Sequence, residues 1–497
     1  MEETSEHLNP SDEIALDNIK KRAVRGVVLL TGRTFILSLI SLAATAFLTV
    51  FLDPKDFGVF WIVAAVVNFL SYFSDVGLAA ALIQKKDVPT DSDLKTTFTV
   101  QQMMVFAIFL ILILATPVLS RIYSLDSSGR LLLYALGLSL IISSLKTIPS
   151  VLIERKIEFE KLVIPQIVET LVYNLVVVFL AWKGFGITSF TVAIVLRSIT
   201  GLIIIYILQP WVPGIFFSKK SFRSLLSYGV PYQANTLLAT VKDDGMTAVL
   251  GGILGPTGIG YLGWAQKWGQ APLRFFMDHV LKVTFPAFAR MQEKKEDLRR
   301  SVERSVFFIC ILVLPSLAGL LVLAPILVQI IPRYSKWSPA LIPLMLIGVN
   351  TVFAAVTTQL TNLLNAIGKI KTTFKLMIMW TILTWLLVPL LAVKFGVTGA
   401  ALGYALVGSS SVIAIFIAKK SVNFSLKESV VRPGIAALLM FVVLMVVKRF
   451  LLVEFLSVWI LILAGVSLYI LLMYLLSGPS LVRDIKLSFK TLFSKAA

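Results

Sequence analysis

Fourteen apolar runs follow one another between residues 26 and 477, each long enough to cross a hydrocarbon core of roughly 30 Å as a helix. Bare peptide groups are not tolerated in lipid, so such runs must satisfy their own backbone hydrogen bonds as helices. With 57% of its 497 residues hydrophobic, 15% charged and a mean hydropathy of +0.89, the chain is far from the balance of a soluble domain. The expected fold class is all-α integral membrane, with fourteen transmembrane helices. The opening MEETSEHLNPSDEIALDNIKKR is polar, reads as a tail outside the fold, and does not resemble a secretory signal peptide.

Several chemistries are disfavoured at once. The single cysteine, Cys310, lies in an apolar run, which rules out an intramolecular disulfide and suggests a small buried apolar residue. The two histidines, His7 and His279, form no cluster with metal-ligand spacing, so neither a metal centre nor a cofactor is expected. Asp91 and Asp93 have the D-x-D form that holds a metal-bound sugar nucleotide in membrane glycosyltransferases. They stand in a short loop with no domain around them, and the outward loops are too short for an external active site, so the chain is not read as an enzyme.

Basic residues set the orientation. Counting the N-terminus as the first segment, alternate segments between spans hold 30 Lys and Arg against 9 in the others, which predicts that both termini are cytoplasmic. This bias accounts for most of the +19 net charge, and topology with anionic headgroups explains it better than nucleic acid does.

Two turns are written twice. LDPKDFGVF (52–60) and LGPTGIGYL (254–262) are offset by 202 residues, and AWKGFGITSF (181–190) is answered by AVKFGVTGAA (392–401), with Phe185 and Phe395 offset by 210. The echoes keep their order and fall at equivalent places in two six-span blocks, which argues for duplication. Because six is even, the copies share one membrane orientation: two parallel repeats, with a substrate path between the lobes. The expected organisation is a tail at 1–22, an N-lobe at 23–210, a C-lobe at 211–421, two further helices at 422–478 and a tail at 479–497.

Twelve charges remain inside the spans, all in the first eight: Arg33, Lys146, Arg197, Lys242, Lys267, Arg274 and Lys282 with Asp75, Glu169, Asp243, Asp244 and Asp278. At roughly 3 kcal/mol each, twelve lipid-facing charges would cost on the order of 36 kcal/mol, so most must face protein or water. Lys282 and Glu169 lie near span ends and can snorkel. Arg33, Lys146, Arg197, Lys242, Lys267 and Arg274 are the candidate substrate-binding residues, with Asp75, Asp243, Asp244 and Asp278 as coupling or structural acids. Lys267, Arg274, Asp278 and Lys282 recur at intervals of seven, four and four, along one helical face that lines either a cavity or a set of interhelical salt bridges such as Arg274 with Asp278. Trp264 and Trp268 fill core or offer flat surfaces to a sugar, and the adjacent Lys242, Asp243 and Asp244 must reach different neighbours. Prolines inside spans, among them Pro149 and Pro165, imply kinks and freed carbonyls.

The segment YGVPYQANTLLATVKDDGMTAVLGGILGPTGIGYLGWAQKWGQAPLRFFMDHVLKVTFPAFARMQ (228–292), with TNLLNAIGK (361–369) and the six plus six plus two arrangement, resembles the polysaccharide transporter family of the multidrug/oligosaccharidyl-lipid/polysaccharide (MOP) flippase superfamily. KDDG (242–245) stands where many relatives show a lone acid, so no coupling-ion role is carried over. The resemblance implies a flippase that moves a polyprenyl-diphosphate-linked oligosaccharide from the cytoplasmic to the outer leaflet of a bacterial or archaeal plasma membrane, for capsule, exopolysaccharide or lipopolysaccharide assembly. The implied partners are that lipid-linked substrate, membrane lipids and polysaccharide synthesis enzymes. A cationic cavity agrees in sign. A drug exporter of the same superfamily would favour acids over a basic surplus, whereas a peptidoglycan-precursor flippase would want the same cavity.

Overall fold

The computed structural model describes residues 16–478, without the side chains of residues 16–31, 228, 230–232, 234–236, 278 and 279. Among the described residues every regular element is a helix. Among the described residues twelve helical stretches are long and apolar enough to cross a membrane, against the fourteen expected. Two of the twelve, Leu237–Gly269 and Ile370–Ser421, each run through two expected spans. Both change direction at one glycine with positive φ: Gly255 (φ 67°, ψ 175°) and Gly396 (φ 60°, ψ −140°). A reversal one residue wide leaves too little non-helical chain to divide a stretch, and only glycine adopts it without strain. Gly186 in the first copy of the second echo has φ 55°, matching its counterpart Gly396.

The chain packs as two compact units. One gathers the described residues up to Leu52 with Val59–Ala248; the other gathers Asp53–Gly58 with the described residues from Val249 onward. Residues 211–218 stay with the first unit because their backbone is held there: Phe216 N donates to Thr99 Oγ1 and Ser218 N to Thr96 Oγ1, both at 3.0 Å.

In the first unit α1 (Leu16–Phe51) packs on α7 (Phe159–Trp182), α7 on α8 (Thr188–Leu208), and α8 on α5 (Ser127–Leu145), which leans on α4 (Asp91–Ile122). The short helices α3 (Leu78–Gln84) and α6 (Thr147–Arg155) continue α2 (Pro54–Ser71) and α5 after breaks, and α9 (Lys219–Thr240) packs on α3. The interiors close on small and branched side chains such as Leu132, Ile148 and Val177, while Leu114, Leu175 and Ile207 stand out on the faces that lipid would cover.

The second unit is centred on α12 (Lys295–Ile330), which meets α11 (Ala271–Met291), α13 (Leu341–Ala366), α16 (Arg432–Val447) and α17 (Phe455–Ser477). Cys310 is fully buried there, in a cluster with Val306, Leu314, Leu360 and Met440, the small apolar role expected of it. Further helices are α10 (Met246–Gly269), α14 (Ile370–Ser409) and α15 (Val412–Ser421).

Within this unit the duplicated turns meet. A Cβ at Gly58 would come 1.6 Å from the carbonyl oxygen of Pro256, and one at Gly260 would come 1.9 Å from that of Pro54. Pro54 and Pro256, like Gly58 and Gly260, stand 202 residues apart, so the contact is reciprocal across the repeat. Phe57 meets Trp337 edge-on, Trp337 stacks on Trp264 at 5.5 Å between centroids, and Lys336 Nζ lies 3.4 Å from Asp53 Oδ1. This aromatic cluster ties Asp53–Gly58 to the second unit.

Candidate functional site

Proline sets the site's geometry. Pro149, with no N–H, leaves the Leu145 carbonyl without its helical donor, and the Tyr206 hydroxyl donates to it at 3.1 Å. The helix breaks between α5 and α6 at Lys146, whose ammonium donates to Glu169 Oε1 at 2.7 Å. Arg197 on α8 brings its Nε within 3.6 Å of Glu169 Oε2, and its guanidinium lies over the Tyr173 ring at 5.8 Å. Arg33 on α1 donates to Gln166 Oε1 and, at 3.4 Å, to Thr34 Oγ1, while its Nε is buried with no hydrogen-bond partner.

Gln166, Glu169 and Thr170 share one face of α7 at intervals of three and four residues. With Arg33, Lys146 and Arg197 they line a cavity of about 460 Å³, completed by Ser150 and the apolar Leu37, Leu162, Pro165 and Ile205. Three cations face a single carboxylate. The cavity therefore carries a surplus of two positive charges, which water or an anionic group can balance. Chemically, the cavity offers charge-assisted donors at several angles to one anionic group.

Glu169 departs from expectation. Its position near a span end suggested snorkelling, yet it is 9% exposed and lies between Lys146 and Arg197. Three helices must converge to create that arrangement, and no spacing along one helix announces it.

The other candidates lie elsewhere. Lys242, Asp243 and Asp244 fall in a π-helical turn, Val241–Gly245, and do not all reach different neighbours as their adjacency suggests, since two of the three pair with each other. Lys242 Nζ pairs with Asp243 Oδ1 at 3.2 Å, and Asp244 accepts a hydrogen bond from the Asn68 side chain. Asp75 accepts from Ala79 N at 3.2 Å and so satisfies a first-turn N–H of α3, whose N-cap is Gly77. Lys267 and Arg274 are exposed and form no ion pair among the described residues; Arg274 donates to Gln270 at 3.3 Å. The side chain of Asp278 lies outside the described ones. Lys267 and Arg274 do not share one uninterrupted helix as their spacing suggested, since α10 ends at Gly269 and α11 begins at Ala271 with Pro272 in its first turn. Trp264 is buried and donates from Nε1 to Tyr334 Oη at 3.3 Å, a core role.

Two more polar features are consumed by architecture. Asp93 makes a capping box with Thr90 and accepts from Lys85 at 2.5 Å, so the D-x-D carboxylate serves the helix start. Arg155, just after the half-buried Glu154, whose carboxyl is pushed up by partial burial, donates to the carbonyls of Leu82, Ile83, Lys85 and Asp87 at 2.6–3.1 Å. It thereby satisfies the orphan carbonyls at the end of α3.

The chain matches the family described as polysaccharide biosynthesis protein over residues 47–341, more than half its length. It is similar to the lipopolysaccharide biosynthesis protein WzxC of Escherichia coli (strain K12), 22% identical over 411 residues that cover 82% of each chain. It is also similar to the succinoglycan biosynthesis transport protein ExoT of Rhizobium meliloti (strain 1021), 24% identical over 276 residues, 55% of each. Among solved structures it resembles the lipid II flippase MurJ in an inward closed conformation, with a TM-score of 0.74 and 17% identity, covering 92% of this chain and 100% of that one. An inward-facing multidrug resistance MATE family transporter of the MOP superfamily gives a TM-score of 0.59 at 13% identity, covering 80% and 98%. At these identities the structural likeness speaks for the fold alone.

Proposed function

This chain belongs to the polysaccharide biosynthesis protein family, and we propose that it is a flippase carrying a polyprenyl-diphosphate-linked oligosaccharide from the cytoplasmic to the outer leaflet. The observation that carries this reading is the cavity of the first unit, where Arg33, Lys146 and Arg197 surround one carboxylate. A diphosphate head group presents charged oxygens on two phosphorus atoms, and a set of Arg and Lys donors matches it in charge and in geometry. The polyprenyl tail stays among lipid acyl chains while the head group crosses by alternating access between two lobes. Organic cations would be repelled by the same surplus, which disfavours a drug exporter.

The topology fits this use. Divided at Gly255 and Gly396, the twelve apolar stretches come to fourteen spans, six plus six plus two, with both termini cytoplasmic in a bacterial or archaeal plasma membrane. Lys242, Lys267 and Arg274 then serve the head group at other points of its path, or balance Asp243, Asp244 and Asp278. The product is surface polysaccharide of the capsule, exopolysaccharide or lipopolysaccharide kind, handed on from the synthesis enzymes that load the lipid.

A charged hydrogen bond to phosphate contributes about 1.5–3 kcal/mol, so losing one should lower transport about tenfold to a hundredfold. Cells lacking the chain and supplied with Arg33→Gln, Lys146→Gln or Arg197→Gln should therefore export polysaccharide at a small fraction of the unaltered level, with protein amounts matched by immunoblot. Full export by all three variants would overturn the assignment.

A further inference from the structure

The sole acid of the cavity occupies the cations that a ligand would need. Glu169 holds Lys146 at 2.7 Å and Arg197 at 3.6 Å, whereas Arg33 is turned to Gln166 and keeps a buried Nε with no partner. The carboxylate rests in a notch made by Gly201 on α8, where a Cβ would come 1.6 Å from Glu169 Oε1 and 2.4 Å from its carboxyl carbon. The notch is deep at the acid and open at the base: the Glu169 side chain is 11% exposed, the Arg197 side chain 49%. A buried carboxylate with two cationic neighbours and a glycine cut to its shape is a ligand mimic inside the site.

We infer that Glu169 is a specificity-determining residue, an internal competitor that keeps singly charged phospholipid head groups out of the cavity and yields to a diphosphate. This rests on the reading of the cavity as the diphosphate site. The lipids around the protein present phosphodiesters with one negative charge, the same charge that Glu169 already supplies. Such a head group gains nothing by exchange, because Glu169 is tethered at high effective concentration and would be left buried without its cations. A diphosphate diester carries a charge on each phosphate. One phosphate can engage Arg33, which Glu169 does not hold, and the other then exchanges intramolecularly for the carboxylate on Lys146 and Arg197. Selection thus comes from a repulsive element built into the site as well as from attraction.

Two variants separate this from simple charge balance. Glu169→Gln keeps the shape and removes the charge; Gly201→Ala keeps the charge and evicts the carboxylate from its notch, at a helical position where alanine is conformationally favoured. Binding of a polyprenyl diphosphate sugar (a diphosphate diester), the matching polyprenyl monophosphate sugar (a phosphodiester with one charge) and phosphatidylglycerol to the full chain in lipid nanodiscs is read by native mass spectrometry. The unaltered protein should prefer the diphosphate by about tenfold or more, and a large excess of phosphatidylglycerol should not displace it. In both variants the preference should fall to about threefold or less, through gained binding of the two singly phosphorylated lipids.

Unchanged discrimination in either variant, or equal loss of all three lipids, would overturn the filter. Displacement of the diphosphate by phosphatidylglycerol from the unaltered protein would do the same without any variant. An unaltered protein that binds no diphosphate, and is indifferent to Arg33→Gln and Lys146→Gln, overturns instead the reading of the cavity on which the filter stands.

Discussion

Two cavities of nearly equal size, about 460 Å³ in the first unit and about 440 Å³ in the second, are lined by opposite chemistry. The first is framed by α1 and α5 to α8 and carries three cations and one carboxylate. The second lies between α12, α16 and α17 and is walled by aliphatic residues such as Leu320, Met440, Leu444 and Leu461, with Ser316 and Tyr469 as its polar members. Volume does not distinguish them. Charge does: the first cavity is lined by three cations and one carboxylate, whereas the second is held by dispersion contacts apart from Ser316, which donates to Leu312 O at 2.7 Å, and the buried Tyr469 hydroxyl, which has no hydrogen-bond partner.

The contrast breaks most sharply if one partner of the first cavity's ion pair is removed. Lys146→Ala leaves Glu169 buried with only the distant Arg197, which should cost about 3–5 kcal/mol and lower the detergent unfolding midpoint by many degrees. The double change Lys146→Met with Glu169→Leu should restore stability without restoring export, because it makes the first cavity resemble the second. A midpoint unmoved by Lys146→Ala would show that the pair is solvated and the cavity electrostatically relaxed.

Importing a charge to the second cavity should sharpen the comparison. Gly319 has open space where a Cβ would go, so Gly319→Arg meets no backbone and its cost, about 2.5–3.5 kcal/mol, is that of the charge itself. Gly319→Ala at the same place should be neutral or stabilising by up to about 1 kcal/mol, from helix propensity. Thermal unfolding of both variants in one detergent checks the pair, and equal midpoints would mean that water already reaches this cavity.

A smaller effect, of about 1–3 kcal/mol, is expected from Gly58→Ala, whose methyl group would collide with the Pro256 carbonyl. The collision involves backbone on both sides, so relief requires the turns to separate. Gly260→Ala should match it, and additive losses in the double variant would show that the two contacts are independent.

Much of this was legible from residue order. The turns at Gly255 and Gly396, the buried Cys310, the core Trp264 and the confinement of intramembrane charge to the first eight spans follow from local rules about glycine, hydropathy and desolvation. Arg33, Lys146 and Arg197 stand out in the sequence by their cost in lipid; that they meet does not show there. Glu169 was set aside because its place near a span end offers an exit to water; only the packing of α7 against α6 and α8 closes that exit. Asp75 and Asp93 both serve helix starts; for Asp93 that use is visible in Thr90 three residues before it, while its D-x-D spacing with Asp91 equally fits a metal-bound sugar nucleotide. The π-helical winding of Val241–Gly245 has no signature in composition at all.

The joint between the two turns has a further consequence. Position 54 meets 260 and position 58 meets 256, so each residue faces the counterpart of its partner, the arrangement of an isologous joint in a homodimer. One stretch of seven residues therefore encodes both halves of a socket. An alteration favourable to one half is imposed on the other only if it is written twice, so the two stretches are expected to change together or not at all.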